Sequence, residues 1–268
     1  MVTKEDVFKL LSELGIKKDD KVVVHSSLRS VGEIEGGADG LIDAFCEYLS
    51  EGLLFIPTHT WNYVTPDSPY YNVMETEPCI GALPTVAAFR KDSARSLHPT
   101  HSVAVFGNGG KEYIECEKGS RTPAPVGGWM TQFEKDGGKI LLLGVGQNKN
   151  TFIHSAEERI NVPDRINHIS FDITVTDENG ETSVIKGYSA HHTEALCGES
   201  CSVYYPNYEK PFAYLGALTY SKLGNAKVTC CDAKKITKII EEMWKKTDRD
   251  LCVSNDEIPE EYYKDIKF

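Results

Sequence analysis

The amino-acid sequence predicts an α/β fold: a mixed central sheet flanked by helices as an α/β/α sandwich, with a small antiparallel β insert. Before residue 150, short apolar runs alternate with amphipathic segments, which is typical of strand–helix units. The runs Val22–Val24 and Leu53–Ile56 are apolar throughout, as expected of strands covered on both faces. After Pro163, apolar alternation on both sides of the turn sequence DENG predicts a β-hairpin.

The length and the order of these elements predict the domain organisation. A chain of 268 residues is long enough for one large α/β domain. We therefore expect a single domain over residues 1–268, with the hairpin as a subregion at about 165–190.

The helices are predicted by apolar residues three or four positions apart, as at Val7, Leu10 and Leu14 in the first of them. In chain order, the predicted helices cover residues 3–15, 38–49, 80–90, 110–117, 129–135, a segment after Thr151, 209–222 and 233–246. The predicted strands outside the hairpin are 22–24, 53–56, 102–106, 140–143 and 226–231.

Residues 62–79 interrupt this order. They contain three prolines and three tyrosines. A loop of this length inside a compact domain is usually functional or disordered, and the aromatic content predicts an ordered loop on the substrate side.

The composition excludes some classes of partner. The chain has 29 Lys and Arg against 40 Asp and Glu, a formal net charge of −11. Nucleic acids and anionic membranes select basic surfaces, so we expect neither as a partner, whereas a cationic substrate is compatible with this charge. Met1 leads directly into a helix start, and the apolar runs are too short to span a bilayer, so we expect a cytoplasmic protein.

The eight cysteines do not form the paired CxxC pattern of a zinc site. In a chain of this size without a secretory context, reduced thiols are the expected state. No metal is expected on this basis.

Residues 139–163 contain the first candidate for chemistry. A buried strand, Ile140–Leu143, leads through glycines and a polar loop into a short helix. Thr151 is the predicted N-cap, which places His154 in the first turn and Glu157 one turn later. Open α/β sheets bind ligands beyond the carboxyl ends of their strands. His154 is therefore a candidate base, and a capped structural histidine is the alternative.

The loop after the first strand is a second candidate. It holds Ser26, Ser27 and Ser30 and the glycines at positions 32, 36 and 37, before a helix near Ala38. Small residues and a helix N-terminus suit a phosphate, although the spacing matches neither common phosphate-binding loop. A tight turn is the alternative explanation.

The distribution of histidines is also compatible with a metal-dependent hydrolase. Five of the eight lie at loops or strand ends, namely His25, His59, His98, His101 and His154. Imidazoles with a carboxylate are the ligand set of a metal-dependent hydrolase. No HxH or HExxH cluster is present, so scattered structural histidines also explain the pattern.

Taken together, several blocks of sequence resemble the aminoglycoside 3-N-acetyltransferases, antibiotic acetyltransferases distinct from the GNAT fold. The resemblance covers most of the chain and preserves the order of the blocks. The blocks are HSSLRSVG with GGADGLIDAF, GLLFIPTHTW, RSLHPTHSVAVFG, TPAPVGGWM, KILLLGVGQNKNTFIHSAEERINVP, and the ending PFAYLGAL with AKVTCCDAKKITKII.

The resemblance implies an acetyl-CoA-dependent transfer to an amine, with direct attack in a ternary complex. His154 would be the general base, and Thr151 would lie near the thioester carbonyl. Glu157 would be a nearby carboxylate that orients His154 or stabilises its charged form. The implied coenzyme A residues form two blocks: His25, Ser26, Ser27, Leu28, Val31 and Gly32, and His98, Ser102 and Val103.

The acceptor side resembles the family less. Members that bind aminoglycosides pair acidic residues with the ammonium groups of the drug, and here the corresponding segment, 189–194, carries histidines. The expected acceptor-binding residues are Asp67, Glu75, His192 and Glu194. An aminoglycoside is the first expectation; another amine, a metal-dependent hydrolase and a non-catalytic coenzyme A-binding module are the alternatives.

Overall fold

The computed structural model describes residues 1–191, 200–247, 251 and 254–268. Its helices are α1 (Lys4–Glu13), α2 (Leu28–Val31), α3 (Gly37–Tyr48), α4 (Ala82–Phe89), α5 (Gly110–Ile114), α6 (Trp129–Lys135), α7 (Phe152–Arg159), α8 (Glu209–Tyr214) and α9 (Ala233–Trp244). Short 3-10 segments cover Glu115–Glu117, Gln147–Lys149, Cys201–Tyr208 and Glu260–Tyr262.

Two sheets organise the chain. The strands are β1 (Lys21–Ser26), β2 (Leu53–Pro57), β3 (Tyr70–Asn72), β4 (Ala94–Arg95), β5 (Val103–Phe106), β6 (Lys139–Leu143), β7 (Phe171–Thr176), β8 (Thr182–Tyr188), β9 (Leu218–Leu223) and β10 (Ala226–Asp232). The main sheet has the order β4-β5-β2-β1-β6-β10-β9, with β2, β1 and β6 parallel and the outer strands antiparallel. The smaller sheet has the order β3-β7-β8.

The buried strands explain the sandwich, because successive side chains point to opposite faces of the sheet. In β1, Val23 packs with helices α6, α7 and α9, whereas Val22 and Val24 pack with α1, α3 and α4. In β6, Ile140 and Leu142 face the first layer, and Leu141 and Leu143 face the second. The predicted α/β/α sandwich is confirmed.

Most of the predicted elements are present, and one is wrong. The predicted helix over 209–222 ends at Tyr214, and Leu218–Leu223 forms the edge strand β9. Gly216, with φ +64°, provides the left-handed residue that ends a helix. The following segment pairs with β10, with Leu218 and Leu223 buried, so tertiary pairing overrides its helical spacing.

The predicted loop over 62–79 also contains a strand. Tyr70–Asn72 pairs parallel to β7, and this adds a third strand to the antiparallel hairpin β7–β8. Tyr71 and Val73 pack into the core of the small sheet. The segment is thereby fixed against the rest of the insert.

Within the part of the chain that the structure describes, no helix combines the length and apolar character needed to cross a membrane.

Gly144 follows β6, and its substitution tests how tightly the turn after this strand is packed. It has φ +71°, and a Cβ added there would lie 2.6 Å from the Cβ of Ser30 and 3.2 Å from that of Ala226. We expect Gly144→Ala to lower the free energy of unfolding by about 1–2 kcal/mol for the left-handed backbone and by about 1–3 kcal/mol more for overpacking. Urea denaturation measures this loss.

Gly216→Ala is the matched control, because Gly216 has φ +64° and no atom within 4 Å of an added Cβ. Only the backbone cost, about 1–2 kcal/mol, is expected there. Equal losses in the two variants would show that the contact with Ser30 does not restrict this turn.

Candidate active site

The site lies beyond the carboxyl end of β6, where Gly144 turns the chain toward α7. Helix α7 buries Phe152, Ile153 and Ala156 in the core of its layer. His154 and Glu157 are three positions apart, which places them on one side of the helix. Both are buried, and the predicted position of His154 in the first turn is confirmed.

A tyrosine hydroxyl lies between these two side chains. The Tyr205 oxygen is 2.7 Å from His154 Nδ1 and 2.6 Å from Glu157 Oε2. The direct separation of His154 Nδ1 from Glu157 Oε2 is 4.0 Å. Glu157 is thus adjacent to His154, as expected, but it reaches the ring through Tyr205.

Arg165 holds the far side of the carboxylate. Its Nε donates to Glu157 Oε2 at 3.0 Å and its Nη2 to Oε1 at 3.3 Å. The side chains of Arg165 and Glu157 are 4% and 1% exposed, so this ion pair lies inside the protein. No sequence pattern pointed to Arg165 or Tyr205, because they lie 8 and 48 residues from Glu157.

A second imidazole covers His154. The His191 ring lies 3.9 Å from the His154 ring, centroid to centroid, with the planes inclined by 35°. The Nε2 of His191 is 3.3 Å from Glu158 Oε1, and Glu158 also accepts the backbone N–H of Ala124 at 2.7 Å. The proximity of His191 disfavours the charged form of His154.

Further histidines extend this group. The ring of His101 lies 5.4 Å from that of His191 and 6.5 Å from that of His154. The rings of His59 and His98 lie 4.5 and 5.8 Å from the ring of His101. The fold therefore gathers four of the five loop and strand-end histidines around His191.

Burial favours the neutral imidazole at the five loop and strand-end histidines, His25, His59, His98, His101 and His154. It lowers the pKa of His154 well below its usual range, and the nearby His191 and Arg165 act in the same direction. Burial also lowers the pKa of His59 and His101 well below the usual range and that of His25 and His98 to about 4. A neutral His154 is in the form that accepts a proton.

The histidines do not form a metal site in the described part of the chain. Their rings contact one another by face or edge, and no group of three or more His, Cys, Asp or Glu side chains among the described residues is arranged to hold one ion.

The serine loop that was expected to bind coenzyme A follows β1 directly. His25 is buried and its Nε2 has no hydrogen-bond partner among the described residues, while Ser26 and Leu28 are partly exposed. The Ser27 hydroxyl accepts the Ser30 hydroxyl at 2.9 Å and caps α2. Gly32 has φ +94°, and Val31 is buried beside it.

The second expected block, His98, Ser102 and Val103, lies inside the protein. His98 Nε2 bonds the Thr122 carbonyl at 2.9 Å, and Nδ1 accepts the backbone N–H of His101 at 2.9 Å. The Ser102 hydroxyl donates to the Thr58 carbonyl at 2.7 Å. Val103 is a core residue of β5. These contacts give His98 and Ser102 structural bonds, so a role for the block in coenzyme A binding stays a prediction.

Thr151 differs from its predicted capping role. It precedes α7, but its backbone is helical (φ −68°, ψ −13°) and its side chain makes no cap hydrogen bond. The buried hydroxyl has no partner among the described residues, and the same holds for Asn150 Oδ1 and Ser155 Oγ. His25 Nε2 is likewise a buried atom without a hydrogen-bond partner among the described residues. The role of Thr151 near the thioester carbonyl stays a prediction.

The expected acceptor residues are only partly described. Asp67 and Glu75 are exposed on the 62–79 segment, which begins beside His59. No contact joins either of them to His154 in the described structure. His192 and Glu194 lie outside the described residues. The acceptor-binding set stays a prediction.

The alternative to direct transfer is an acyl-enzyme formed on a cysteine, and the described thiols do not favour it. Burial raises the pKa of Cys116 and Cys230 to about 11 and that of Cys46 to about 12, and it also raises the pKa of Cys79 and Cys231. The thiolate is the nucleophilic form of cysteine, and these environments suppress it.

A family comparison agrees with this arrangement. The sequence model of the aminoglycoside 3-N-acetyltransferases matches residues 23–245, which include most of β1, all of α7 and most of the C-terminal part. The chain belongs to this family. The resemblance inferred from the sequence blocks is confirmed.

Two relatives illustrate how similar this family member is in sequence to other proteins of the family. The SPbeta prophage-derived aminoglycoside N(3')-acetyltransferase-like protein YokD of Bacillus subtilis (strain 168) is 29% identical over 182 residues, covering 59% of this chain and 65% of YokD. The aminoglycoside N(3)-acetyltransferase III of Serratia marcescens is 26% identical over 186 residues, covering 62% of this chain and 67% of the relative. The chain thus spans about two thirds of their length.

The fold is also found in a solved family structure. The binary structure of AAC-IIIb with CoASH superposes with a TM-score of 0.74 at 20% identity, covering 88% of this chain and 93% of that chain. The expected fold class is therefore confirmed for this family member.

The buried histidines predict how stability depends on pH. The pKa values of His25, His59, His98, His101 and His154 are lowered below 6.5 by burial, so unfolding takes up protons below pH 6.5. Their contribution is complete above pH 6.5 and is lost as pH falls. Glu117 opposes this, because burial raises its pKa to about 7 and the folded form takes up a proton first.

On unfolding, the five histidines take up more protons than Glu117 releases. We expect the free energy of unfolding to fall between pH 6.5 and 5.5 by more than about 1.4 kcal/mol per pH unit, the limit for one proton. Urea denaturation at several pH values with a constant m-value measures the slope. A slope at or below that limit would contradict the neutral, buried state of this group.

Proposed function

We propose that the chain transfers the acetyl group of acetyl-CoA to an amine of a cationic small molecule. The 3-amino group of a 2-deoxystreptamine aminoglycoside is the first candidate. The observation that carries the proposal is the buried, neutral His154 on α7, within a chain of the aminoglycoside 3-N-acetyltransferase family. The relative AAC-IIIb, which was solved with CoASH, supports coenzyme A as the acyl carrier.

The proposed chemistry is direct transfer in a ternary complex. A protonated amine has no lone pair, so it must lose a proton to attack the thioester carbonyl. In this scheme the neutral amine attacks the carbonyl, and His154 accepts a proton from the nitrogen as the C–N bond forms. The C–S bond then breaks to release the coenzyme A thiolate, which takes up that proton and becomes the free thiol. A positioned base supplies roughly 10²–10⁴-fold, and alignment of the reactants supplies up to about 7–11 kcal/mol.

The oxyanion of the tetrahedral intermediate needs hydrogen-bond donors. The Thr151 hydroxyl has no partner among the described residues and lies at the start of α7, three positions before His154. This unused donor supports the role assigned to Thr151. Loss of one such donor costs about 10²–10³-fold in known acyl-transfer sites.

The base assignment is tested with His154→Ala and His154→Asn. We expect both to lower kcat for acetyl transfer by about 10²–10⁴-fold, because the amine then lacks a proton acceptor. Release of free thiol from acetyl-CoA measures turnover. His168→Asn is the matched control. His168 is exposed on the segment between α7 and β7, where it pairs with Asp164. Wild-type turnover in both His154 variants would disprove the assignment.

The acceptor and the alternative functions are tested with the same assay. A panel of aminoglycosides with and without a free 3-amino group, together with simpler amines, identifies the acceptor. Turnover confined to compounds with that group supports the aminoglycoside proposal, and turnover with other amines points to a different acceptor. Binding of coenzyme A without thiol release would indicate a binding module. Activity that needs stoichiometric zinc and is lost in EDTA would indicate the hydrolase.

A further inference from the structure

The Tyr205 hydroxyl is the only group between His154 and Glu157 whose contacts with both are resolved in the described structure. It lies 2.7 Å from His154 Nδ1 and 2.6 Å from Glu157 Oε2, whereas the two end atoms are 4.0 Å apart. The ring contact between Tyr205 and His154 has a centroid distance of 5.2 Å. Among the described contacts, this oxygen is the hydrogen-bonded link from the carboxylate to the imidazole.

The direction of the two hydrogen bonds follows from the number of protons. A tyrosine hydroxyl has one proton, and a carboxylate only accepts. Glu157 Oε2 accepts the Tyr205 hydroxyl at 2.6 Å and also accepts Nε–H of Arg165 at 3.0 Å. Tyr205 thus donates to Glu157, and its lone pair accepts a hydrogen from His154 Nδ1. In a neutral ring with Nδ1 protonated, Nε2 holds the free lone pair.

We propose that Tyr205 is a positioning residue for acetyl transfer, because its hydroxyl holds His154 in the tautomer whose Nε2 accepts the proton of the amine. The inference rests on the proposed function for its kinetic part. It assigns to Tyr205 the orienting role that the sequence had assigned to Glu157.

The surroundings make this arrangement rigid. Tyr205 is fully buried in the 3-10 segment Cys201–Tyr208, and Glu157 and Arg165 are buried beneath it. None of these side chains is free to turn toward solvent without leaving a polar group or a charge unpaired inside the protein. When His154 takes a proton, the Nδ1–H bond to Tyr205 becomes charge-assisted, and the polarised hydroxyl transmits the charge of Glu157.

The variant Tyr205→Phe removes the hydroxyl and keeps the ring. We expect kcat to fall roughly 10²-fold while KM for acetyl-CoA changes by less than about 3-fold, because a base in the wrong tautomer loses most of its contribution without loss of ground-state binding. The acid limb of the pH profile of kcat should also move, since the charged form of His154 loses its hydrogen-bond partner.

Tyr208→Phe is the matched control. Tyr208 is equally buried in the same segment, and its hydroxyl accepts Nε1–H of Trp244 at 3.0 Å. We expect this variant to keep the wild-type kcat within about 3-fold. An equal loss of kcat in both variants would assign the effect of Tyr205 to packing and overturn the proposal.

A readout independent of activity is the 15N NMR spectrum of the imidazole nitrogens, with His154→Asn to identify the His154 signals. Wild-type protein should show a protonated Nδ1 and an unprotonated Nε2, and Tyr205→Phe should shift the proton toward Nε2. A wild-type His154 protonated on Nε2 would overturn the proposal even if the variant failed to fold. An unchanged tautomer in folded Tyr205→Phe would overturn it as well.

The same measurements distinguish failure of the proposed acetyl transfer from failure of the positioning role of Tyr205. Wild-type protein that transfers acetyl to no amine would refute the proposed function, and the NMR result would still decide whether Tyr205 sets the tautomer. A changed tautomer with unchanged kcat would overturn the positioning role. A changed tautomer with the expected loss of kcat would support it.

Discussion

The ion pair between Glu157 and Arg165 is the interaction on which the site depends. Both groups are nearly excluded from water, so neither is stable there without the other and without further hydrogen bonds. Glu157 completes its bonding through the Tyr205 hydroxyl, and that hydroxyl contacts His154. Helix α7, the segment after it and the 3-10 segment before α8 are thus joined through one carboxylate. The attraction between the two charges and their hydrogen bonds offset the cost of burying them, and the same contacts orient the imidazole.

The histidines around His154 affect its protonation as well as its surroundings. His154 stacks on His191, and His101 and His59 continue the group away from α7. In such surroundings a proton on one ring makes protonation of the next less favourable. Burial and this mutual repulsion lower the pKa of His59, His101 and His154 and so favour their neutral forms.

The sequence predicted what depends on local patterns. Val22–Val24 and Ile140–Leu143 were recognisable as buried strands, and the spacing from Thr151 to His154 placed the histidine in a first helical turn. The contacts of His154 were not predictable in this way, because Tyr205 lies 51 residues further along the chain. Helical spacing over 209–222 was misleading, since pairing with β10 decides the state of Leu218–Leu223. The structural bonds of His98 likewise depend on Thr122, far from it in sequence.

The two edge strands of the main sheet influence whether copies of the chain can pair and aggregate. Unpaired strand edges are templates for intermolecular pairing, and proteins blunt them by shortening or covering them or by adding charge. One edge here is β4, which has two residues, and the other is β9, which carries Lys222 and packs against α1. Neither edge presents a long, flat, apolar strand. The sheet that supports the site is thereby protected against edge-to-edge aggregation.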